Sequence, residues 1–136
     1  LYGFDTIIDG KTDTVILVEG AMDVINLSQE LELLETDEVR AIATFGKKIS
    51  DEQTFHLQEK GVKNIIVFYD TDAIDDVKRI GLDKYFNVLI ASADDCDGFE
   101  IGMDVGDLDA EQIEQCLGVA RKTSEVFYDK VNIYEL

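Results

Sequence analysis

The chain is short of positive charge. Its 136 residues hold 12 Lys and Arg against 30 Asp and Glu, a formal net charge of −18. A chain this acidic repels phosphate backbones unless cations intervene. Sulfur and imidazole are scarce as well. Cys96, Cys116 and His56 stand alone, and no C-x-x-C pair occurs. That argues against a zinc site. Two isolated thiols fit a reducing cytoplasm, where they read as core or surface residues and not as a disulfide. His56 falls within an expected helix and reads as structural. No apolar run approaches a membrane span, and no signal peptide is visible. Internal repeats and linkers are lacking. The sequence begins at Leu1 and not at methionine, so it reads as a piece of something longer.

What is present describes a globular chain. Hydrophobic content of 46% and aromatic content of 9% suffice for a core, and the length suits one domain. The organising stretch is Val15 to Asp23. Four apolar residues, Val15 to Val18, read as a buried strand from about Thr14. Glu19-Gly20 ends it. Ala21, Val24, Ile25, Ser28, Leu31 and Leu34 then recur at helical spacing, predicting a helix over Ala21 to Leu34. A carboxylate therefore stands at a strand's carboxyl end, where open α/β sheets bind ligands. Glu19 is either a solvated turn residue or a functional acid.

The lead-in, Leu1 to Thr12, is apolar but aperiodic and is expected to pack on the domain's edge. A second strand is expected over Val39 to Thr44, followed by a loop with Gly46, Lys47 and Lys48. Those lysines are either a phosphate contact or solvated. Ser50 with Gln53 forms a capping-box pattern opening a second helix, and Gly61 closes it. Ile65 to Tyr69 is apolar throughout, which implies burial on both faces of a parallel sheet. It stops at Asp70-Thr71-Asp72. A third helix is expected over Ala73 to Ile80, with Gly81 as its stop, and a fourth strand over Phe86 to Ala91. Asp94 to Asp109 is acidic and irregular. A last helix opens near Asp109, with Asp109 and Gln112 capping its start and Ile113, Cys116, Leu117 and Ala120 on one face, and a further short one is possible around Ser124 to Val131. This alternation argues for an α/β domain: a parallel sheet of about four strands with helices on both faces.

Three D-x-D patterns occur: Asp70/Asp72, Asp95/Asp97 and Asp107/Asp109. In so acidic a chain, spacing alone decides nothing. Only Asp70/Asp72 ends a fully buried strand, which can aim both carboxylates into one crevice. If the first and third strands are neighbours, Glu19 shares that crevice. Clustered carboxylates repel one another, and bound Mg²⁺ removes the conflict, because it is a hard cation that prefers carboxylate oxygen. Such a site suits phosphoryl transfer.

These residues carry a resemblance. Glu19-Gly20 after one hydrophobic strand and Asp70-x-Asp72 after another resemble a Toprim domain, a Rossmann-like fold shared by bacterial-type primases, type IA and II topoisomerases and some nucleases. Val18-Glu19-Gly20-Ala21-Met22-Asp23 is similar to the primase V-E-G-x-x-D signature. Leu1-Tyr2-Gly3, Ala43-Thr44-Phe45-Gly46 and Asp104-Val105-Gly106-Asp107-Leu108 are similar to further primase segments. Asp75 and Val105 depart from the usual glycine and proline. The similarity covers roughly residues 1–118, with 119–136 as a helical extension of the same 1–136 domain. It points to a DNA primase of bacterial type, phage- and plasmid-related primases and primase-helicases included.

The resemblance implies template-directed synthesis of RNA primers by Mg²⁺- or Mn²⁺-dependent nucleotidyl transfer. Glu19 would be a general acid–base or outer metal ligand. Asp70 and Asp72 would bind metal, and Asp104 would complete the site with Asp107. Gly20 and Asp23 would shape the pocket, while Gly46 and Lys47 would approach phosphate. The implied partners are a single-stranded DNA template and nucleoside triphosphates, reached through the full-length protein, and a replicative helicase; no membrane is implied. Three other readings compete. A Toprim nuclease would use the same carboxylates with water as nucleophile. A receiver-type phosphoacceptor would need an acidic pair ending the first strand and a lysine ending a fifth, and neither is apparent. A degenerate Toprim module used only for binding sits poorly with the retained acids.

Overall fold

The computed structural model describes residues 1–45, 49–69 and 81–122. The expected loop of Gly46, Lys47 and Lys48, the Asp70-Thr71-Asp72 turn, the helix after it and the short helix near Ser124 lie outside the described residues. Within them the fold is a five-stranded sheet in the order β2-β1-β3-β4-β5. The strands are β1 (Thr14–Val18), β2 (Val39–Ala43), β3 (Asn64–Tyr69), β4 (Asn87–Ser92) and β5 (Arg121–Lys122). The first four are parallel. Three α-helices accompany them: α1 (Ala21–Glu30), α2 (Asp51–Lys60) and α3 (Ala110–Gly118). The architecture is α/β and Rossmann-like.

Period-two alternation sorts the core into two layers. Val15 and Leu17 of β1, Ile42 of β2 and Ile65, Val67 and Tyr69 of β3 meet Leu57 of α2 on one face. Ile16, Val18, Ala41, Ala43 and Phe68 meet Val24 and Leu27 of α1 and Ile113 and Cys116 of α3 on the other. Helices thus cover both faces, as the apolar strands require. Ser50 caps α2, with its hydroxyl accepting the Gln53 N–H at 3.1 Å and the Gln53 side chain answering at 2.9 Å. Gly61 closes α2 at φ 96°, a left-handed position that glycine takes without penalty. The lead-in packs on the edge strand: Tyr2 and Ala43 form an antiparallel bridge.

The structure corrects two expectations, both on α1. α1 stops at Glu30, not Leu34. Glu32 turns left-handed at φ 51°, and a single 3-10 turn, Leu33–Glu35, follows. Its buried face is also turned: Leu27 is fully covered, while Ile25 is 44% exposed. The four parallel strands are present as expected, and Arg121–Lys122 adds a short antiparallel fifth at the edge of β4. Arg40, in the middle of β2, is buried.

Arg40 is tolerable there because its guanidinium meets carbonyls. Nε donates to Thr6 at 3.0 Å; Nη1 donates to Leu33 at 2.6 Å, Val39 at 2.9 Å and Thr36. Asp37 lies 4.0 Å from Nη2. One side chain therefore ties the lead-in and the turn after α1 to β2. Arg40→Ala strands those carbonyls, and we expect a loss of about 3 kcal/mol of stability. Lysine cannot reproduce the planar fork, so Arg40→Lys should restore less than half of it. Urea unfolding curves of the three proteins check both values.

Cys116 and Cys96 are free thiols, and both sulfurs approach the Ala93 carbonyl, at 3.7 and 3.4 Å. Burial, with the neighbouring Cys96, pushes the Cys116 thiol from 9.0 up to about 12. Between those values the unfolded chain gives up a proton that the folded chain keeps, so stability falls as pH rises above about 9. Urea midpoints from pH 8 to 10.5 should fall less steeply in Cys116→Ala than in the parent.

Candidate functional site

The strand order places a topological switch point between β1 and β3. β1 leads outward to β2 in one direction and abuts β3 in the other. Ligands of open α/β sheets bind in the crevice outside the carboxyl ends at such a point. β1 and β3 are direct parallel neighbours, Leu17 opposite Val67. The condition for a shared crevice is therefore met. Glu19 leaves β1 two residues beyond that pair, where Tyr69 ends β3. Asp70 and Asp72 lie outside the described residues, as do Gly46 and Lys47.

Glu19 and Gly20 form the whole connection from β1 to α1, and both are half-buried. Gly20 is the N-cap of α1 in an extended conformation. With no side chain to cap the helix, the task passes to Asp23, whose Oδ2 accepts the Gly20 N–H at 3.3 Å. A carboxylate in the first turn also faces the positive end of the helix. Asp23 is thus a structural cap at the helix end.

The Asp104–Leu108 segment comes to this helix end. Val105–Asp107 is a 3-10 turn with Asp104 before it. Asn26, on α1, holds the turn with one amide: its Nδ2 donates to the carbonyls of Val105 at 3.0 Å and Leu108 at 2.8 Å. Val105 and Leu108 are buried beside Val24 and Leu27. The result is close approach of two acids. A Cβ placed on Gly106 would lie 3.1 Å from Oδ1 of Asp104 and 3.1 Å from Oδ1 of Asp23. The two carboxylates therefore share one small volume, which the missing side chain leaves open. Asp107 keeps the turn closed, its Oδ2 accepting the Asp104 N–H at 3.0 Å.

The other acidic pairs sit differently. Asp97 is bound up with α3: its N–H donates to Gln115 at 2.8 Å, and its carboxylate and carbonyl accept from Gln115 and Gln112 at 3.3 and 3.1 Å. Asp109 caps α3 through the Gln112 N–H at 2.9 Å. His56 is an exposed residue of α2 beside Glu52 and Glu59, at 3.6 and 3.2 Å.

The donor set suits a hard cation. Carboxylate oxygens from Asp23 and Asp104 converge on Gly106, with Glu19 at the adjoining strand end. Among the described residues, no three His, Cys, Asp or Glu side chains gather closely enough to hold a metal ion by themselves. Asn26 escaped the sequence reading, and Gly106 entered it only as part of the Asp104–Leu108 segment. Asn26 is one more polar residue on a helix, and only the tertiary contact reveals its partners.

Residues 16–76 match the family model described as Toprim-like. The matched stretch runs from β1 past β3 and supports a Toprim domain, a metal-binding fold found in primases, nucleases and topoisomerases. Asn26 lies within it, and the Asp104–Leu108 turn beyond it. No curated protein matches the chain. Among the described residues, no helix is long and apolar enough to cross a membrane.

Asn26→Ala removes both bonds that seat the Asp104–Leu108 turn and leaves two carbonyls to find water. We expect a loss of about 1–3 kcal/mol, with faster amide exchange at residues 104–108 than in β1 to β3. Hydrogen-exchange mass spectrometry compares the segments directly.

Proposed function

We propose that the domain is the catalytic part of a DNA primase, joining ribonucleotides on a single-stranded DNA template. The observation that carries this reading is the meeting of Asp23 and Asp104 over Gly106, beside Glu19 at the β1/β3 switch point. The Toprim-like match over residues 16–76 supports it, as do the primase-like Val18–Asp23 and Asp104–Leu108 segments.

Glu19, Asp70, Asp72 and Asp104 would hold Mg²⁺ or Mn²⁺, with Asp107 and Asp23 close by. Bound metal supplies Lewis-acid stabilisation of phosphate charge and eases ionisation of the attacking hydroxyl. Glu19 accepts the proton of that hydroxyl, standing where the strand ends and solvent begins. Asp23 holds the helix end with one oxygen and faces the site with the other. Gly106 keeps side-chain bulk out of the space between the acids. Pyrophosphate leaves, and the primer grows by one nucleotide. Nucleoside triphosphates and the template reach the site in the full-length protein, since a charge of −18 gives this domain little hold on phosphate. A replicative helicase is the expected partner.

Binding to the native state alone raises stability by mass action. The melting temperature should climb with Mn²⁺, and climb less in Asp70→Ala. Equal shifts would assign the response to the acidic surface at large. In the full-length protein, replacing Asp70 and Asp72 with Asn should abolish primer synthesis, while replacing Asp95 and Asp97 should leave it nearly unchanged. Metal-dependent nicking of plasmid without primer synthesis would replace the primase reading with a nuclease.

A further inference from the structure

Immediately after β2, the backbone adopts a conformation that its residue type resists. Phe45 has φ 56°, in the left-handed region where a bulky side chain is an outlier. Such strain persists only where the surroundings impose it, and it concentrates at functional sites. Here the Phe45 N–H donates to the Glu19 carbonyl at 2.9 Å, while the preceding Thr44 N–H donates to Val18 at 3.1 Å. The strained residue is thus pinned to the backbone of the proposed proton acceptor. Core packing does not repay the strain, because the ring is 67% exposed.

A second exposed ring stands against it. Tyr2 and Phe45 have centroids 5.9 Å apart and planes at 76°. Tyr2 is held from another part of the chain. Its N–H donates to Ala43 at 3.1 Å, and its carbonyl accepts from Ala43 at 2.9 Å. Gly3 then turns the lead-in away at φ 87°, so close to β2 that a Cβ there would meet the Ala41 carbonyl oxygen at 2.8 Å. Two separate backbone segments therefore fix two solvent-facing aromatics beside Glu19.

We propose that Phe45, buttressed edge-on by Tyr2, is a stacking platform for an unpaired nucleobase at the rim of the site. This rests on the nucleotidyl-transfer reading and names how the substrate or template is held. Stacking tolerates any base, since every base presents a π face, and it needs no positive charge. It is the kind of hold left to an acidic domain that grips phosphate poorly. With the two planes at 76°, Tyr2 covers at most one face of the Phe45 ring, which is otherwise exposed.

The chain contains no tryptophan, so Phe45→Trp provides a single fluorescent reporter. It is titrated, with Mg²⁺ present, against ATP, a short oligothymidylate and inorganic tripolyphosphate. The base-bearing ligands should quench the emission and tripolyphosphate should not. Whichever quenches at the lower concentration tells a nucleotide from a template strand. In equilibrium dialysis, Phe45→Ala should weaken that ligand by about tenfold, and Phe45→Tyr should retain it. Tripolyphosphate binding should stay unchanged in both. Far-UV circular dichroism and melting temperature establish that each variant is folded. Equal affinity of the base-bearing ligand for parent and Phe45→Ala overturns the platform. If Mg²⁺-dependent tripolyphosphate binding then persists, the catalytic reading stands. If the parent binds none of the three, the platform falls, and the catalytic reading is judged by primer synthesis in the full-length protein.

Discussion

The parallel pairing of β1 with β3 is the constraint on which the rest depends. β1 is buried from Val15 to Val18 and has a neighbour on each side. A strand enclosed in this way has no freedom to slip, because a shift of one residue would exchange its two packed faces and draw Thr14 or Glu19 into a fully buried position. Glu19 is consequently fixed in position by four apolar residues that have no chemistry of their own. The acid is carried to the edge of the sheet by the hydrophobic effect, and its backbone carbonyl then anchors Phe45.

From that edge the site is assembled by distant segments. The Asp104–Leu108 turn is far from β1 in sequence, and burial of Val105 and Leu108 brings it to α1. Apolar burial brings the turn near but does not orient it. The two bonds from Asn26 do that, and their directionality fixes which way Asp104 faces. Nonspecific packing and specific hydrogen bonding thus divide the labour between proximity and aim.

Much of this was legible in the sequence where the local signal and the tertiary outcome agree. β1 was read to the residue, since a β-branched apolar run bounded by Glu19-Gly20 leaves little choice. The caps Ser50 and Asp109 were legible because a capping box is a local device whose partners lie three residues away. What escaped was decided at long range. Nothing local to Arg40 marks it as buried, because the carbonyls that satisfy it include those of Thr6, Leu33 and Thr36. β5 has two exposed basic residues and no hydrophobic pattern, so only its pairing to β4 reveals it. The face of α1 was misread because Ile25 and Leu34 fit a helical period but belong to solvent, while Leu27 carries the contact.

Asp23 shows how an acidic site can avoid unfolding itself. Two carboxylates in one small volume repel, and the repulsion is a cost that the folded state must offset. Asp23 answers with its two oxygens in different roles. Oδ2 accepts the Gly20 N–H at the positive end of α1, a favourable place for negative charge. Oδ1 faces Asp104 over Gly106. Asp104 divides its bonding too, since its N–H is taken by Asp107 while Oδ1 turns to the shared space. The Asp23 carboxylate is thus tied to the helix end, while Asp104 is held through its backbone. Both carboxylates thereby present an oxygen to the space that Gly106 leaves open, and the Mg²⁺ of the proposed site would offset their charge there.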